Sequence, residues 1–191
     1  MACLLMNNIR FVSGMIMALL ALCHSPLVYG QQEASWVFFS LGEAPLNIQL
    51  PAEPEPMETQ IQPSMLQIIQ AYYAYEYESP KNDVLVMLVA ISYAQQIHPG
   101  LPIISDQAVL EMESRGALNV KYKTSSLDIE GKKGVRQKGT LEMKGDKMDF
   151  TTTILEEGTN VWNVTIYSKC GDAAAKKTGE SILNSMTFNP K

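Results

Sequence analysis

The chain has 191 residues, with 15 basic against 20 acidic side chains and a net charge of −5. That balance speaks against a nucleic-acid partner, since phosphate binding needs a clustered positive surface. The length allows one ordinary domain with a sizeable core.

Residues 1–30 read as an export signal. Arg10 is the only charge, Phe11 to Cys23 is an apolar core, and Val28-Tyr29-Gly30 puts small or β-branched residues at the −3 and −1 positions of a cleavage site. Without Arg10, 14 basic side chains face 20 acidic ones, a mature net charge of −6. Two alternatives compete with cleavage. Leu20-Ala21-Leu22-Cys23 resembles a lipobox, but Leu22 stands where a small residue is usual. An uncleaved anchor would need ~20 apolar residues, and His24-Ser25-Pro26 interrupt the run before that. The expected location is secreted or periplasmic, with lipid anchoring through Cys23 as the alternative and membrane contact only in that case. The remainder, 31–191, is expected to be a single α+β domain.

After the apolar run Trp36-Val37-Phe38-Phe39, Leu46 to Leu50 alternates like a half-buried strand. Pro51, Pro54 and Pro56 then mark an edge or connector, and Met57 to Gln62 reads as a second short edge strand. Met65 to Tyr77 and Val84 to Tyr93 read as a hairpin. The second strand is apolar on both faces and so is expected at the centre of a sheet. Gln95 to Ile104 reads as a loop. Ser105 then caps a helix over Asp106 to Arg115, with Ile104 and Val109 as its staple and Gly116 as its stop.

Leu118 to Tyr167 reads as a four-strand meander. A turn at Gly145-Asp146 would pair Met143 with Met148 and Leu141 with Phe150. A three-residue turn at Glu157-Gly158-Thr159 would set Ile154 opposite Trp162. Leu118, Val120 and Tyr122 are even-numbered while Leu127 and Ile129 are odd, which predicts a β-bulge near Ser125-Ser126. Asp172 is the expected cap of a last helix running to Ser185, with Ala174, Ala175, Thr178, Ile182 and Leu183 on its inner side. Met186-Thr187-Phe188 closes as a short strand.

Few residues here can do chemistry. Cys170 and His98 are the only cysteine and histidine after the leader, too few for a standard zinc site or an intramolecular disulfide. Cys170 reads as a buried small hydrophobe and His98 as a solvated loop residue. Asp106, Glu111, Glu113, Glu156 and Glu157 are carboxylates that no spacing brings into a cleft, so a hydrolase built on them with His98 is the remotest reading. Asn163-Val164-Thr165 matches a glycosylation sequon but falls mid-strand. There is no phosphate loop, dinucleotide fingerprint, nucleophile elbow or metal-ligand spacing, so no cofactor is expected and the chain reads as non-enzymatic.

Two features suit binding instead. Tyr73, Tyr75 and Tyr77 share one strand face, with Tyr72 on the other. Such a stripe can take an apolar or lipid ligand, or pack beneath a covering element. Lys121, Lys123, Lys132, Lys133, Arg136 and Lys138 form a basic cluster suited to an anionic headgroup or acidic partner, or else a solvated sheet face.

Three stretches resemble the PsbP-like fold of small exported bacterial proteins. These are Leu46-Asn47-Ile48-Gln49-Leu50-Pro51-Ala52-Glu53-Pro54, the glycine-punctuated meander from Leu118 to Tyr167, and Gly171 to Phe188. The resemblance implies an α+β fold, a mostly antiparallel β-sheet sandwiched by helices, and a non-catalytic role as an accessory or binding protein for a larger assembly. Export, a compact fold and the lack of catalytic groups point to an envelope or secreted binding/accessory protein, with an envelope protein as the expected partner. It carries no functional residue onto this chain. A photosystem role is not implied, because nothing here matches a plastid transit peptide.

Overall fold

A computed structural model describes residues 36–188 except 59–60, 62–64, 80–82 and 96. The expected export signal and Cys23 lie outside the described residues. Seven strands form one antiparallel sheet: β3 (Glu55–Pro56), β4 (Ile69–Ser79), β5 (Val84–Tyr93), β6 (Leu118–Ile129), β7 (Lys132–Met143), β8 (Asp146–Glu157) and β9 (Asn160–Lys169). Their order across the sheet is β3-β4-β5-β9-β8-β7-β6. β1 (Val37–Leu41) and β2 (Leu46–Leu50) make a separate hairpin. Helix α1 (Leu101–Ser114) covers one sheet face, and α2 (Ala173–Asn184) with the β1–β2 hairpin covers the other. This is the expected α+β sandwich. No helix among the described residues is long and apolar enough to cross a membrane.

β5 lies between β4 and β9, as its two apolar faces require. Val84, Val86, Leu88 and Ala90 enter the main core with Leu46, Ile48, Trp162 and Ile182. Leu85 and Met87 face α1 beside Met112 and Tyr167. Trp162 is 2% exposed and donates its indole N–H to the Ala44 carbonyl at 3.0 Å, tying the hairpin to the sheet.

Several local expectations are corrected. Helix α1 begins at Leu101, not Asp106. Proline has no N–H to lose in a first helical turn, so Pro102 starts the helix instead of excluding it. Ser105 is therefore no cap. It is buried within α1, and its Oγ accepts from Gln137 Nε2 at 2.8 Å. Among the described residues, Gln137 Oε1 is a buried polar atom without a hydrogen-bond partner. A short edge strand forms at Glu55–Pro56, and Met57 donates one bond to the Ala74 carbonyl. Of the expected strand Met57–Gln62, Met57, Glu58 and Ile61 are not in a strand, and 59, 60 and 62 lie outside the described residues. β4 starts at Ile69, because Met65–Gln67 forms a 3₁₀ turn.

Two registers differ as well. The β7–β8 turn is Lys144-Gly145, both with positive φ (53° and 88°), as a type I′ turn demands. Leu141 thus pairs with Met148, and Phe150 with Gly139. The β8–β9 turn has two residues, Gly158-Thr159, which sets Leu155 opposite Trp162. That one-residue slip reverses faces: Leu155 joins the main core and Ile154 turns toward the α1 side. The bulge lies between Leu118 and Lys121, with Asn119 at φ 54°, and not at Ser125-Ser126. Asparagine tolerates that backbone region far better than serine does.

Asp172 caps α2 as expected, accepting from Ala174 N at 2.8 Å and Ala175 N at 2.9 Å. Ala174 is exposed, and Gly179 takes its place on the buried side. The closing strand shrinks to one bridge between Thr187 and Asn47.

Candidate functional site

The antiparallel registers align residues in rows across the face beneath α2 and the β1–β2 hairpin. One row runs Tyr77, Val86, Ile166, Thr151, Lys138, Lys123. The next runs Tyr75, Leu88, Val164, Thr153, Arg136, Ser125. Both pass from aromatic through aliphatic and hydroxyl to cationic side chains, and the second then ends on Ser125. Cover explains the gradient. β5 and β9 lie under α2 and the hairpin and must be apolar there, whereas Lys138 and Lys123 reach solvent.

Where the cover ends, a cleft of about 270 Å³ opens between α2 and strands β7 to β9. Lys138, Thr151 and Ser168 line it from the sheet, and Lys176 and Glu180 from the helix. Ile166 and Leu183 give it an apolar side. Small residues let the helix approach closely: a Cβ on Gly179 would lie 3.1 Å from Ile166 Cγ2.

The basic cluster seen in the sequence divides on folding. Lys133 is on the opposite face and pairs with Asp128 at 2.7 Å, which together with the Gly131 N–H holds that carboxyl below its ordinary value. Lys132 pairs with Glu157 and stands 5.3 Å over the Phe188 ring. Lys121, Lys123, Arg136 and Lys138 share the cleft's face by register. None of these four has an ion pair among the described residues. Arg136 Nε donates to Thr153 Oγ1 at 3.0 Å, and desolvation lowers the guanidinium from its usual value.

Tyr73, Tyr75 and Tyr77 do share a face, at the end of the rows away from the cleft. All three are half-buried against the main core, under the β1–β2 hairpin. The rings of Tyr75 and Phe39 meet edge to face at 4.8 Å. The Tyr73 hydroxyl donates to Glu43 at 3.3 Å, and burial followed by that carboxylate raises its pKa.

The reactive groups are scattered. His98 Nδ1 contacts the Gly158 carbonyl at 3.0 Å, at the turn before β9. Cys170 follows the far end of β9 and donates to Asp149 Oδ1 at 3.2 Å. At ~3.4 Å rise per residue the two ends of β9 stand roughly 30 Å apart. Burial and Asp149 both raise the Cys170 thiol, keeping it a protonated donor. Glu111 pairs with Arg115 at 2.7 Å. No group of three or more His, Cys, Asp or Glu that could hold a metal occurs among the described residues.

Sequence reasoning missed Asp149, Thr151, Ser168, Lys176 and Glu180. The available signal was Ala175 and Gly179, small residues one helical turn apart on α2, which mark a close helix-to-sheet approach.

No family model matches this chain, and no curated protein matches its sequence. Solved structures do match. Cyanobacterial PsbP (CyanoP) from Synechocystis sp. PCC 6803 aligns over 82% of this chain and 94% of its own, with TM-score 0.57 at 8% identity. A protein of unknown function from Pseudomonas aeruginosa aligns over 82% and 99%, with TM-score 0.45 at 14% identity. LpqN, involved in cell envelope biogenesis of Mycobacterium tuberculosis, aligns over 85% and 88%, with TM-score 0.46 at 11% identity. The likeness to CyanoP is one of fold, and this chain has the PsbP-like fold.

Proposed function

We propose that this chain is an exported, non-enzymatic accessory protein that binds an envelope partner through the α2 cleft and the cationic face beside it. One observation carries the reading: folding gathers Lys121, Lys123, Arg136 and Lys138 on a single sheet face, without ion-pair partners among the described residues, next to an open cleft. Like charges gathered beside a recess suit recognition, because they steer and orient an oppositely charged surface. The separation of His98 from Cys170 supports a role without covalent chemistry. Export rests on the reading of residues 1–30.

Amine crosslinking in envelope fractions of a producing cell, followed by affinity purification of the tagged chain, tests this. The expected result is one partner recovered by the wild-type chain and lost with Lys138→Glu/Lys176→Glu. A partner retained equally by the double variant would move the interface elsewhere. Recovery of no partner by the wild-type chain would reject the accessory reading. N-terminal sequencing of the mature protein should begin at Gln31.

A carrier of an apolar or lipid ligand would use Tyr73, Tyr75 and Tyr77. It requires Phe39 to leave its contact with Tyr75.

A further inference from the structure

The occupant of the α2 cleft has a chemistry that the cleft itself specifies. Its side chains are of two electrostatic kinds. Lys138 and Lys176 present ammonium groups from opposite walls, and the cationic series continues outward through Lys123 and Lys121. Asp149 and Glu180 are carboxylates in the same recess, and Thr151 and Ser168 are hydroxyls. A simple anion would meet repulsion from the two carboxylates. A bilayer surface is flat and could not enter a recess walled by a helix. An extended acidic peptide satisfies both kinds of group. Its side-chain carboxylates reach the lysines, and its backbone N–H groups, which every peptide must place, donate to Asp149, Glu180 and the hydroxyls. The cationic series also outruns the cleft, so the ligand that matches it is longer than a small molecule.

We infer that the cleft between α2 and strands β7 to β9 binds an acidic, extended segment of a partner protein, with Lys138 and Lys176 holding its carboxylates and Lys123 extending the contact. This rests on the accessory reading above and specifies the partner's chemistry. The like-charge placement of Lys123 opposite Lys138 agrees with it. Such a pair is unfavourable in the free sheet, and an anion lying across it relieves the repulsion.

The test uses the full chain, ¹⁵N-labelled, with three probes: a twelve-residue peptide rich in Asp and Glu, its Asn/Gln counterpart, and vesicles containing anionic phosphatidylglycerol. The expected result is saturable binding of the acidic peptide alone, with amide shifts concentrated at Thr151, Ser168 and Gly179. Lys138→Gln/Lys176→Gln should weaken it about 5-fold, as loss of two partly exposed charge contacts implies, with steeper loss in salt. Lys144→Gln, which removes one charge in the β7–β8 turn outside the cleft, should change it little. Equal binding of the Asn/Gln peptide, shifts spread over the surface, or binding to vesicles in place of peptide would each overturn the assignment. Any of these would leave the accessory reading standing, since that is decided by whether a partner is recovered at all.

Discussion

Lys123 on β6 lies directly opposite Lys138 on β7, on the face shared with the α2 cleft, and neither has an ion-pair partner among the described residues. Directly opposed side chains interact by roughly 0.2–1 kcal/mol, and like charges do so unfavourably. Lys123→Glu is therefore expected to stabilise the protein by about 0.5 kcal/mol, seen as a higher urea midpoint and a larger gain at low salt. The same change should weaken any anionic partner. A variant that gained stability without losing binding would remove Lys123 from the interface.

The buried polar pair beneath α1 gives a second prediction. Gln137 Nε2 donates to Ser105 Oγ at 2.8 Å, while Oε1 has no partner among the described residues. Ser105→Ala should cost about 1 kcal/mol by removing an acceptor from a buried amide. Ser105→Ala/Gln137→Leu should recover most of that loss, because replacing both polar partners with apolar groups is nearly neutral. Chemical denaturation of the two single variants and the double variant measures the coupling.

Capping of α2 gives a third. Asp172 accepts from two backbone N–H groups. Asp172→Ala is expected to cost about 1 kcal/mol, and Asp172→Ser much less. Since α2 forms one wall of the cleft, the Ala variant should also raise amide exchange at Lys176 and Glu180.

Tyr167 sets an alkaline limit. Burial pushes its hydroxyl up to about 12 from 10.0, with Arg115 opposing and Glu111 adding to the shift. A raised folded-state value means the neutral phenol contributes stability that is complete below pH 10 and is lost as pH rises toward 12. Stability should thus fall over that window by roughly 2–3 kcal/mol more in the wild type than in Tyr167→Phe. Denaturation midpoints between pH 9 and pH 12 compare the two.

Much of this architecture is visible in the residue pattern, because hydrophobic alternation is a local property. β5 and its central position follow from eight apolar residues in a row, and Asp172 follows from cap chemistry. The failures have particular causes. Pro102 serves a loop or a first helical turn equally well, and only the rest of the chain decides. Ile154 and Leu155 are both buried, on opposite faces, so apolarity could not fix the β8–β9 register. At the β6 bulge, Asn119 carries the irregularity through its backbone, and the parity of apolar residues does not locate that. The basic cluster was legible as composition. Its division into a cleft-facing set and two surface pairs depends on register, and the cleft itself on the distant α2.

The strand order also has a kinetic consequence. The β4–β5 hairpin and the β6–β9 meander each form from neighbouring segments, yet they join only when Val84 meets Ser168 across the middle of the sheet. Closing so long a loop is entropically slow and places the joining step late. Until then β5 and β9 each present an apolar strand with open backbone groups, the state most prone to pairing with another copy. Refolding yield should accordingly fall with protein concentration, even though the finished sheet ends on the lysine-bearing β6 at one side and two-residue β3 at the other.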